Sequence, residues 1–206
     1  APFSPAFPFY AADGEGRQCG GNGRCLSFRR EPVAVPPDVR GGAMIQQGTA
    51  FITGGTGFVG LAIVRSLREA GIPVIALARK SSRVEAREEL SRLGARLVEG
   101  DLLSPASWRG PLEESTVVFH AAAIHDVRRP DPALVYETNV EATKRLFLAA
   151  AARGVRQFIY TSSIKTIGSA GPGKLSDEDT PYNLGRIDGV YGRSKYEAEQ
   201  FLLSRG

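Results

Sequence analysis

The fold is decided by the stretch Thr53-Gly54-Gly55-Thr56-Gly57-Phe58-Val59-Gly60. A short apolar run of β type precedes it at 50–52, and apolar residues follow at helical spacing. Gly54 permits a tight turn with positive φ, Gly57 lets the backbone approach a bound group, and Gly60 lets helix and strand pack closely. The helix presents free N–H groups and the positive end of its dipole, which suits a pyrophosphate. The stretch favours a dinucleotide-binding turn over an ordinary strand-to-helix turn.

Composition limits the class of protein. The chain has 206 residues, of which 42% are apolar and 23% charged, as in a globular protein. No run of about 18 uncharged apolar residues occurs, so we expect no membrane span. The net charge of +4 comes without a basic stripe, so we expect no nucleic-acid partner. Cys19 and Cys25 lack further Cys or His partners, so we expect no metal site, and the cysteine-free remainder indicates a cytoplasmic protein.

The first 43 residues differ from the rest of the chain. They are rich in proline and glycine, which predicts disorder. The only methionine is Met44, just ahead of the first predicted strand. We therefore expect residues 1–43 to be a disordered tail or mis-translated upstream sequence, and residues 44–206 to form the folded domain.

Strands and helices alternate from residue 49 onward. Strands are predicted at 49–53, 74–78, 96–99, 117–119 and 157–161, and helices at 57–70, 83–93, 132–153 and 190–203, with a short helical turn within 102–115. This alternation predicts an α/β fold, a Rossmann-type doubly wound parallel sheet with strand order 3-2-1-4-5. The ligand crevice is then expected at the carboxyl ends of the strands.

Several strand ends carry candidate cofactor residues. Arg79 ends the second strand where an NAD-selective site usually has an acidic residue, and its guanidinium can pair with a 2′-phosphate, which favours NADP over NAD. Asp101 follows the third strand and is either an acceptor for an adenine amino group or a turn residue. Small residues at 121–123 follow the fourth strand and leave room for a nicotinamide and its ribose. His120 is expected to be packed at the strand end rather than to be a base.

The catalytic candidates are Tyr191 and Lys195. Their spacing places both on one face of the last helix. An ammonium group near the phenol favours phenolate and so brings its pKa toward the working range. Ser163 lies just past the fifth strand, where it is either the donor to a substrate oxygen or a turn serine.

Six motifs together resemble the extended short-chain dehydrogenase/reductase family, the NAD(P)-dependent epimerase/dehydratase group. Besides the glycine stretch they are Gly100-Asp-Leu102, His120-Ala-Ala-Ala123, Asn139-Val-Glu-Ala-Thr143, Phe158-Ile-Tyr-Thr-Ser-Ser163 and Tyr191-Gly-Arg-Ser-Lys195. The segment 161–168 and the basic second strand end are more similar to dihydroflavonol-reductase-like and hopanoid-associated sugar-epimerase-like members.

The resemblance implies roles for individual residues. Tyr191 would be the acid–base, Lys195 would lower its pKa and hold the nicotinamide ribose, and Ser163 would orient the substrate oxygen. The cofactor would be NADP, alternatively NAD, bound by Gly54, Thr56, Gly57, Phe58, Val59, Gly60, Arg79, Asp101, Leu102, Ala121, Ala122, Asn139 and Lys195. The role of Asn139 rests on the resemblance alone.

The resemblance also leaves alternatives open. Members usually continue for a hundred or more residues with a substrate-binding domain, which we expect to be missing here. The substrate is a small-molecule carbonyl compound or a sugar nucleotide, so the chain is a reductase, a nucleotide-sugar epimerase/dehydratase, or a cofactor-binding but inactive fragment. The resemblance further implies a homodimer formed through the helices at 132–153 and 190–205.

Overall fold

The computed structural model divides the chain into two units, Ala1–Gly41 and Gly42–Gly206. It describes residues 18–19, 25–26, 48–125, 131–185 and 189–205. In the first unit the strands Gln18–Cys19 and Cys25–Leu26 pair antiparallel, which the proline- and glycine-rich pattern did not predict. The prediction of disorder for the remainder of 1–43 falls outside the described residues.

The second unit is built on a five-stranded parallel sheet. Thr53, at the end of the first strand, is in register with Leu77 and His120 on its two neighbours. The strand order is β3-β2-β1-β4-β5, which confirms the predicted 3-2-1-4-5. The strands are β1 (Ala50–Thr53), β2 (Val74–Ala78), β3 (Arg96–Glu99), β4 (Val117–His120) and β5 (Gln157–Tyr160).

The helices follow the predicted alternation with one difference. The helix predicted as continuous over 132–153 contains a π-helical segment, Glu137–Glu141. Asn139 lies in this wider turn and is buried, with its side chain bonded outside its own helix. The helices are α1 (Phe58–Glu69), α2 (Val84–Arg92), α3 (Arg109–Glu113), α4 (Pro132–Tyr136), α5 (Ala142–Ala152) and α6 (Val190–Leu203), with 3₁₀ turns at Pro105–Ser107 and Ile164–Thr166.

A hydrophobic core covers each face of the sheet, as expected of a doubly wound fold. Ile52 packs on one face with Val64 of α1 and Leu90 of α2. Phe51 points to the other face, where the core includes Trp108 and Leu146. This alternation follows from the period of two along a strand. The packed sheet then carries the loops at the carboxyl ends of β1, β2 and β4.

The two edge strands differ from the three central ones. β1 and β2 are fully buried, whereas β3 and β5 are only partly buried, and Ile159 in β5 is 38% exposed. The sheet is therefore covered on both faces at its centre and only partly covered at its edges. The helices that the structure describes are all too short or too polar to cross a bilayer.

Candidate active site

A cleft of about 300 Å³ opens at the carboxyl ends of β1, β2 and β4, where the sheet predicts the ligand crevice. Its walls come from the glycine turn and from the loops that follow the strands. The lining residues are Thr53, Gly54, Thr56, Gly57, Leu77, Arg79, Ser82, Gly100, Asp101, Leu102, Leu103, Ala121, Ala122, Ala123, Ile124, Leu134 and Thr138.

The glycine turn forms one end of this cleft. Gly54 has a φ of +74°, and a Cβ there would lie 2.5 Å from the backbone nitrogen of Ala122. A Cβ on Gly60 would lie 2.1 Å from the carbonyl oxygen of Gly54. Gly57 caps α1 without a side-chain hydrogen bond, so the first N–H groups of the helix are available to an anion. These close approaches explain why the turn requires glycine.

The basic loop after β2 forms a second wall. Arg79 and Ser82 both line the cleft, and Arg79 is exposed. The Thr56 hydroxyl donates to Ser82 Oγ across 3.5 Å, which links this loop to the glycine turn. Sequence reasoning missed Ser82 as a site residue, although it belongs to the same basic segment as Arg79.

Asp101 serves the turn after β3 and also lines the cleft. Its Oδ1 accepts a hydrogen bond of 2.9 Å from the backbone N–H of Leu103. Leu102 is buried, and its carbonyl accepts from the indole N–H of Trp108 at 3.1 Å. Asp101 is therefore a turn residue, as one of the two interpretations predicted. Its second carboxylate oxygen is not part of this bond, and the contact with adenine stays a prediction.

His120 is packed inside the domain, as expected. It is 1% exposed, its Nδ1 lies 2.6 Å from Thr53 Oγ1, and its Nε2 lies 2.7 Å from Thr143 Oγ1. The Thr143 hydroxyl donates to the Asn139 carbonyl at 2.8 Å, so we assign the ring proton to Nε2 and acceptance to Nδ1. Burial, and secondarily the charge of Lys195, lower the pKa of His120 to about 3. The ring is neutral and joins β1 to α5.

Asn139 is also a buried connector. Its Oδ1 accepts from the Ile124 N–H at 2.8 Å, and its Nδ2 donates to the Ile124 carbonyl at 3.1 Å and to Ser194 Oγ at 3.0 Å. It thus ties the loop after β4, which lines the cleft, to α6. Its side chain does not line the cleft, so a role for Asn139 toward the cofactor stays a prediction.

Tyr191 and Lys195 lie one turn apart on α6. Lys195 is 2% exposed, its Nζ donates to the Thr161 carbonyl at 2.7 Å, and it sits 3.9 Å from the centroid of the Tyr160 ring. Burial lowers the pKa of Lys195 to about 8, against an opposing contribution from Glu199. The Tyr191 ring is partly buried, and the ring of His125 packs edge-on against it with centroids 4.4 Å apart. No sequence signal indicated this contact of His125.

Ser163 follows β5 on a turn next to α6. Its Oγ accepts from the Lys165 N–H at 3.2 Å, so its own O–H can donate to another oxygen. The neighbouring Ser162 instead donates to Glu199 Oε2. The lysine contact to Thr161, two residues before Ser163, brings this turn and the Tyr191–Lys195 helix to the same end of β5.

The structure groups the predicted site residues unevenly. Eight of the predicted cofactor residues line the cleft, namely Gly54, Thr56, Gly57, Arg79, Asp101, Leu102, Ala121 and Ala122. Phe58 and Val59 are exposed at the start of α1, and Gly60 is buried against the glycine turn. Tyr191, Lys195, Ser163 and Asn139 lie outside the lining. Sequence reasoning missed the apolar cleft residues Leu103, Ile124 and Leu134, because their neighbours are set by tertiary packing.

Comparison of the chain with known proteins identifies a family. A model of the NAD dependent epimerase/dehydratase family matches residues 50–205. The chain is 37% identical over 154 residues to a Synechocystis sp. protein named "Putative dihydroflavonol 4-reductase", covering 75% of this chain and 44% of that protein. It is 33% identical over 163 residues to UDP-glucose 4-epimerase of Vibrio cholerae, covering 75% of this chain and 46% of the epimerase.

A solved structure agrees with the sequence relatives. A short-chain dehydrogenase/reductase superfamily protein from Agrobacterium tumefaciens, crystallised with bound NAD, superposes with a TM-score of 0.62 at 29% identity. The match covers 75% of this chain and 44% of that one. The chain thus spans less than half the length of these relatives, and the shared part is the Rossmann-type sheet with its helices.

Proposed function

The chain belongs to the NAD dependent epimerase/dehydratase family, and on that premise we propose that it is an NADP-dependent oxidoreductase acting on a carbonyl or a secondary alcohol. The observation that supports this most is the contact between α6 and the end of β5. Lys195 Nζ bonds the Thr161 carbonyl at 2.7 Å, which brings Tyr191, Lys195 and the turn of Ser163 to one end of the sheet. These three residues are the catalytic set of the proposal.

The cleft fits a dinucleotide. Gly54 and Gly60 leave no space for side chains, and the uncapped start of α1 offers N–H donors for a pyrophosphate. The small residues Ala121 and Ala122 line the cleft after β4, where bulkier side chains would obstruct a nicotinamide and its ribose. The other proposed cofactor contacts are those of Thr56, Gly57, Phe58, Val59, Asp101, Leu102, Asn139 and Lys195.

A preference for NADP over NAD rests on the wall formed by the basic loop. Arg79 is exposed and lines the cleft, at the strand end where a carboxylate would accept from a ribose 2′-hydroxyl. A guanidinium binds a 2′-phosphate through paired charge-assisted hydrogen bonds, and the Ser82 hydroxyl of the same loop adds a donor. We therefore propose NADP as the cofactor and NAD as the alternative.

The chain's own residues then handle the proton. NADP, when bound, supplies or takes up the hydride. Tyr191 exchanges a proton with the substrate oxygen, and the Lys195 ammonium, whose pKa of about 8 keeps it mostly charged at neutral pH, favours the phenolate form. Ser163 donates a hydrogen bond to the same oxygen and stabilises the charge that develops there.

The second candidate is a nucleotide-sugar epimerase or dehydratase, which the 33% identity to the UDP-glucose 4-epimerase supports. Such an enzyme uses the same hydride step transiently and returns its cofactor unchanged. The two candidates differ in cofactor balance: a reductase consumes one NADPH per turnover, whereas an epimerase turns over without net consumption.

In both cases we propose that pairs of chains associate through α4, α5 and α6.

The substitution Tyr191→Phe tests the mechanism. We expect the purified chain to oxidise NADPH with members of a panel of aliphatic and aromatic ketones, and the variant to be slower by about 10²–10⁴-fold with NADPH still bound. Unchanged ketone reduction in Tyr191→Phe would contradict the mechanism. If neither protein turns over but both bind NADPH, the chain is a cofactor-binding, inactive fragment.

A further inference from the structure

Glu199 lies one turn beyond Lys195 on α6 and bonds outside its own helix. Its Oε2 accepts from the Ser162 hydroxyl, and the Thr166 hydroxyl lies 3.1 Å from the same oxygen. Ser162 and Thr166 flank Ser163 on the turn after β5. One carboxylate oxygen therefore contacts both sides of the turn that carries the proposed substrate-orienting serine.

The turn also has hydrogen bonds of its own. The Thr166 hydroxyl is also 2.8 Å from the Ser163 carbonyl, so its single proton is shared between that carbonyl and Glu199. The Ser163 carbonyl accepts in addition from the Thr166 N–H at 2.9 Å. Glu199 therefore adds to these bonds within the turn a side-chain link from α6 to the residues on either side of Ser163.

The same carboxylate faces Lys195 at the i, i+4 spacing. The other groups near the ammonium are the Tyr160 ring on β5, the Thr161 carbonyl and the neutral His120 ring on β4, with Tyr191 on α6 itself. Burial lowers the pKa of Lys195 to about 8, and Glu199 acts in the opposite direction. Glu199 therefore helps to keep the ammonium protonated near neutral pH.

We propose that Glu199 is a positioning residue that clamps the turn of Ser162, Ser163 and Thr166 onto the helix of Tyr191 and Lys195. The proposal deepens the proposed function and rests on it for the roles of Ser163 and Lys195. Glu199 touches neither cofactor nor substrate; it acts by fixing the Ser163 hydroxyl and by sustaining the charge of Lys195. Glu199 thereby influences both the position of the Ser163 hydroxyl and the charge of Lys195, which lies beside Tyr191.

The effect of Glu199 on the charge of Lys195 is tested by titrating Lys195. The chain has five lysines, so ¹³Cε-labelled lysine gives a small set of NMR signals, and Lys195→Met assigns the one of interest. Glu199→Gln keeps the side-chain length and an acceptor oxygen but removes the charge. We expect it to lower the pKa of Lys195 below the wild-type value near 8. Ser162→Ala is the matched control: it removes a donor, keeps the charge and is expected not to lower that pKa.

The effect of Glu199 on the position of the turn is tested by amide exchange at Lys165 and Thr166, whose N–H groups bond to Ser163. Glu199→Ala is expected to speed their exchange at least about tenfold, because the Ser162 and Thr166 hydroxyls both lose their acceptor. Glu199→Gln, which keeps an acceptor oxygen, is expected to restore most of the protection. Neither readout needs cofactor or turnover. If wild type does not oxidise NADPH but Glu199→Gln still lowers the pKa of Lys195, the proposed function is overturned and the clamp stands. An unchanged Lys195 pKa in Glu199→Gln together with unchanged exchange in Glu199→Ala would overturn the clamp.

Discussion

The turn after β1 and the turn after β5 lie at the same end of the sheet but are held in different ways. The first, 53–60, is held by backbone: Gly54 has positive φ, and the Gly57 N–H donates to the Gly54 carbonyl at 2.9 Å. The second, 162–166, has a backbone bond from the Thr166 N–H to the Ser163 carbonyl. It is bonded in addition by Glu199 of α6, more than thirty positions along the chain from Ser162 and Thr166. Local backbone geometry thus shapes the first turn, whereas the second also depends on a long-range side-chain contact.

The glycine half is β1 with the turn 53–60; the side-chain-built half is the turn 162–166 with α6 and the helical segment 132–152 packed beside it. The difference between the two turns predicts which substitutions each half tolerates. The glycine half leaves no room for a Cβ at Gly54 or Gly60. The side-chain-built half depends on buried polar groups whose partners lie on other elements. His120 joins the two halves, because it contacts Thr53 beside the glycine turn and Thr143 on α5.

Acid should weaken the domain through His120. Its folded pKa of about 3 lies below the ordinary 6.5, so its stabilising contribution is complete above pH 6.5 and is lost as pH falls toward 3. The difference between the folded and the ordinary pKa corresponds to about 5 kcal/mol of unfolding free energy. The measurement is urea unfolding of wild type and His120→Gln across pH 3–7.

The difference between those two proteins isolates the imidazole from the carboxylates that also titrate in acid. We expect the free energy of unfolding of wild type minus that of His120→Gln to shrink steadily from pH 6.5 to pH 3. Parallel stability curves would mean that the ring does not bridge the halves as a neutral, buried group.

Gly60→Ala should disrupt the glycine half. The new Cβ would lie 2.1 Å from the carbonyl oxygen of Gly54, a backbone atom that cannot rotate away. We expect a loss of about 3 kcal/mol in unfolding free energy and weaker NADPH binding. Gly110→Ala is the control, because Gly110 lies in α3 with nothing within 4 Å of its Cβ position and should gain about 0.5 kcal/mol. Equal stability of Gly60→Ala and wild type would refute the close approach.

Asn139→Ala should weaken the side-chain-built half by about 2 kcal/mol, because it removes a buried amide and leaves the partly buried N–H and carbonyl of Ile124 without their partner. Asn183 offers a matched control: it makes the same pair of bonds to Ser169 at the surface, at 2.9 Å each, where water can replace it. We expect Asn183→Ala to cost about 0.5 kcal/mol or less. Thermal unfolding of both variants distinguishes the two, and equal losses would argue against a special role of the buried amide.

Arg79→Ala should have the smallest effect, confined to cofactor choice. The loss of a charge-assisted pair predicts about tenfold weaker NADPH binding and unchanged NADH binding. Lys80→Ala removes the same charge from the next position, which does not belong to the cleft lining, and should alter the NADPH to NADH ratio less. An equal fall in affinity for both cofactors in Arg79→Ala would remove the argument for NADP.

The sequence predicted those parts of the molecule that depend on local pattern. The five strands and their order follow from the alternation of strands and helices. The glycine turn follows from positions that only glycine can occupy. The π-helical segment at Asn139 was not predicted: the Asn139 side chain bonds there to Ile124 and Ser194, and no local pattern relates these residues to Asn139. For the same reason Glu199, His125 and the apolar cleft residues carried no sequence signal.

The central claim is that the cleft beside the glycine turn binds a dinucleotide, and NADPH fluorescence titration of the full chain tests it most directly. The account predicts saturable binding, displaced by NADP⁺, and retained in Tyr191→Phe but reduced in Gly60→Ala. The absence of saturable binding by a wild-type chain that is folded by circular dichroism would contradict it.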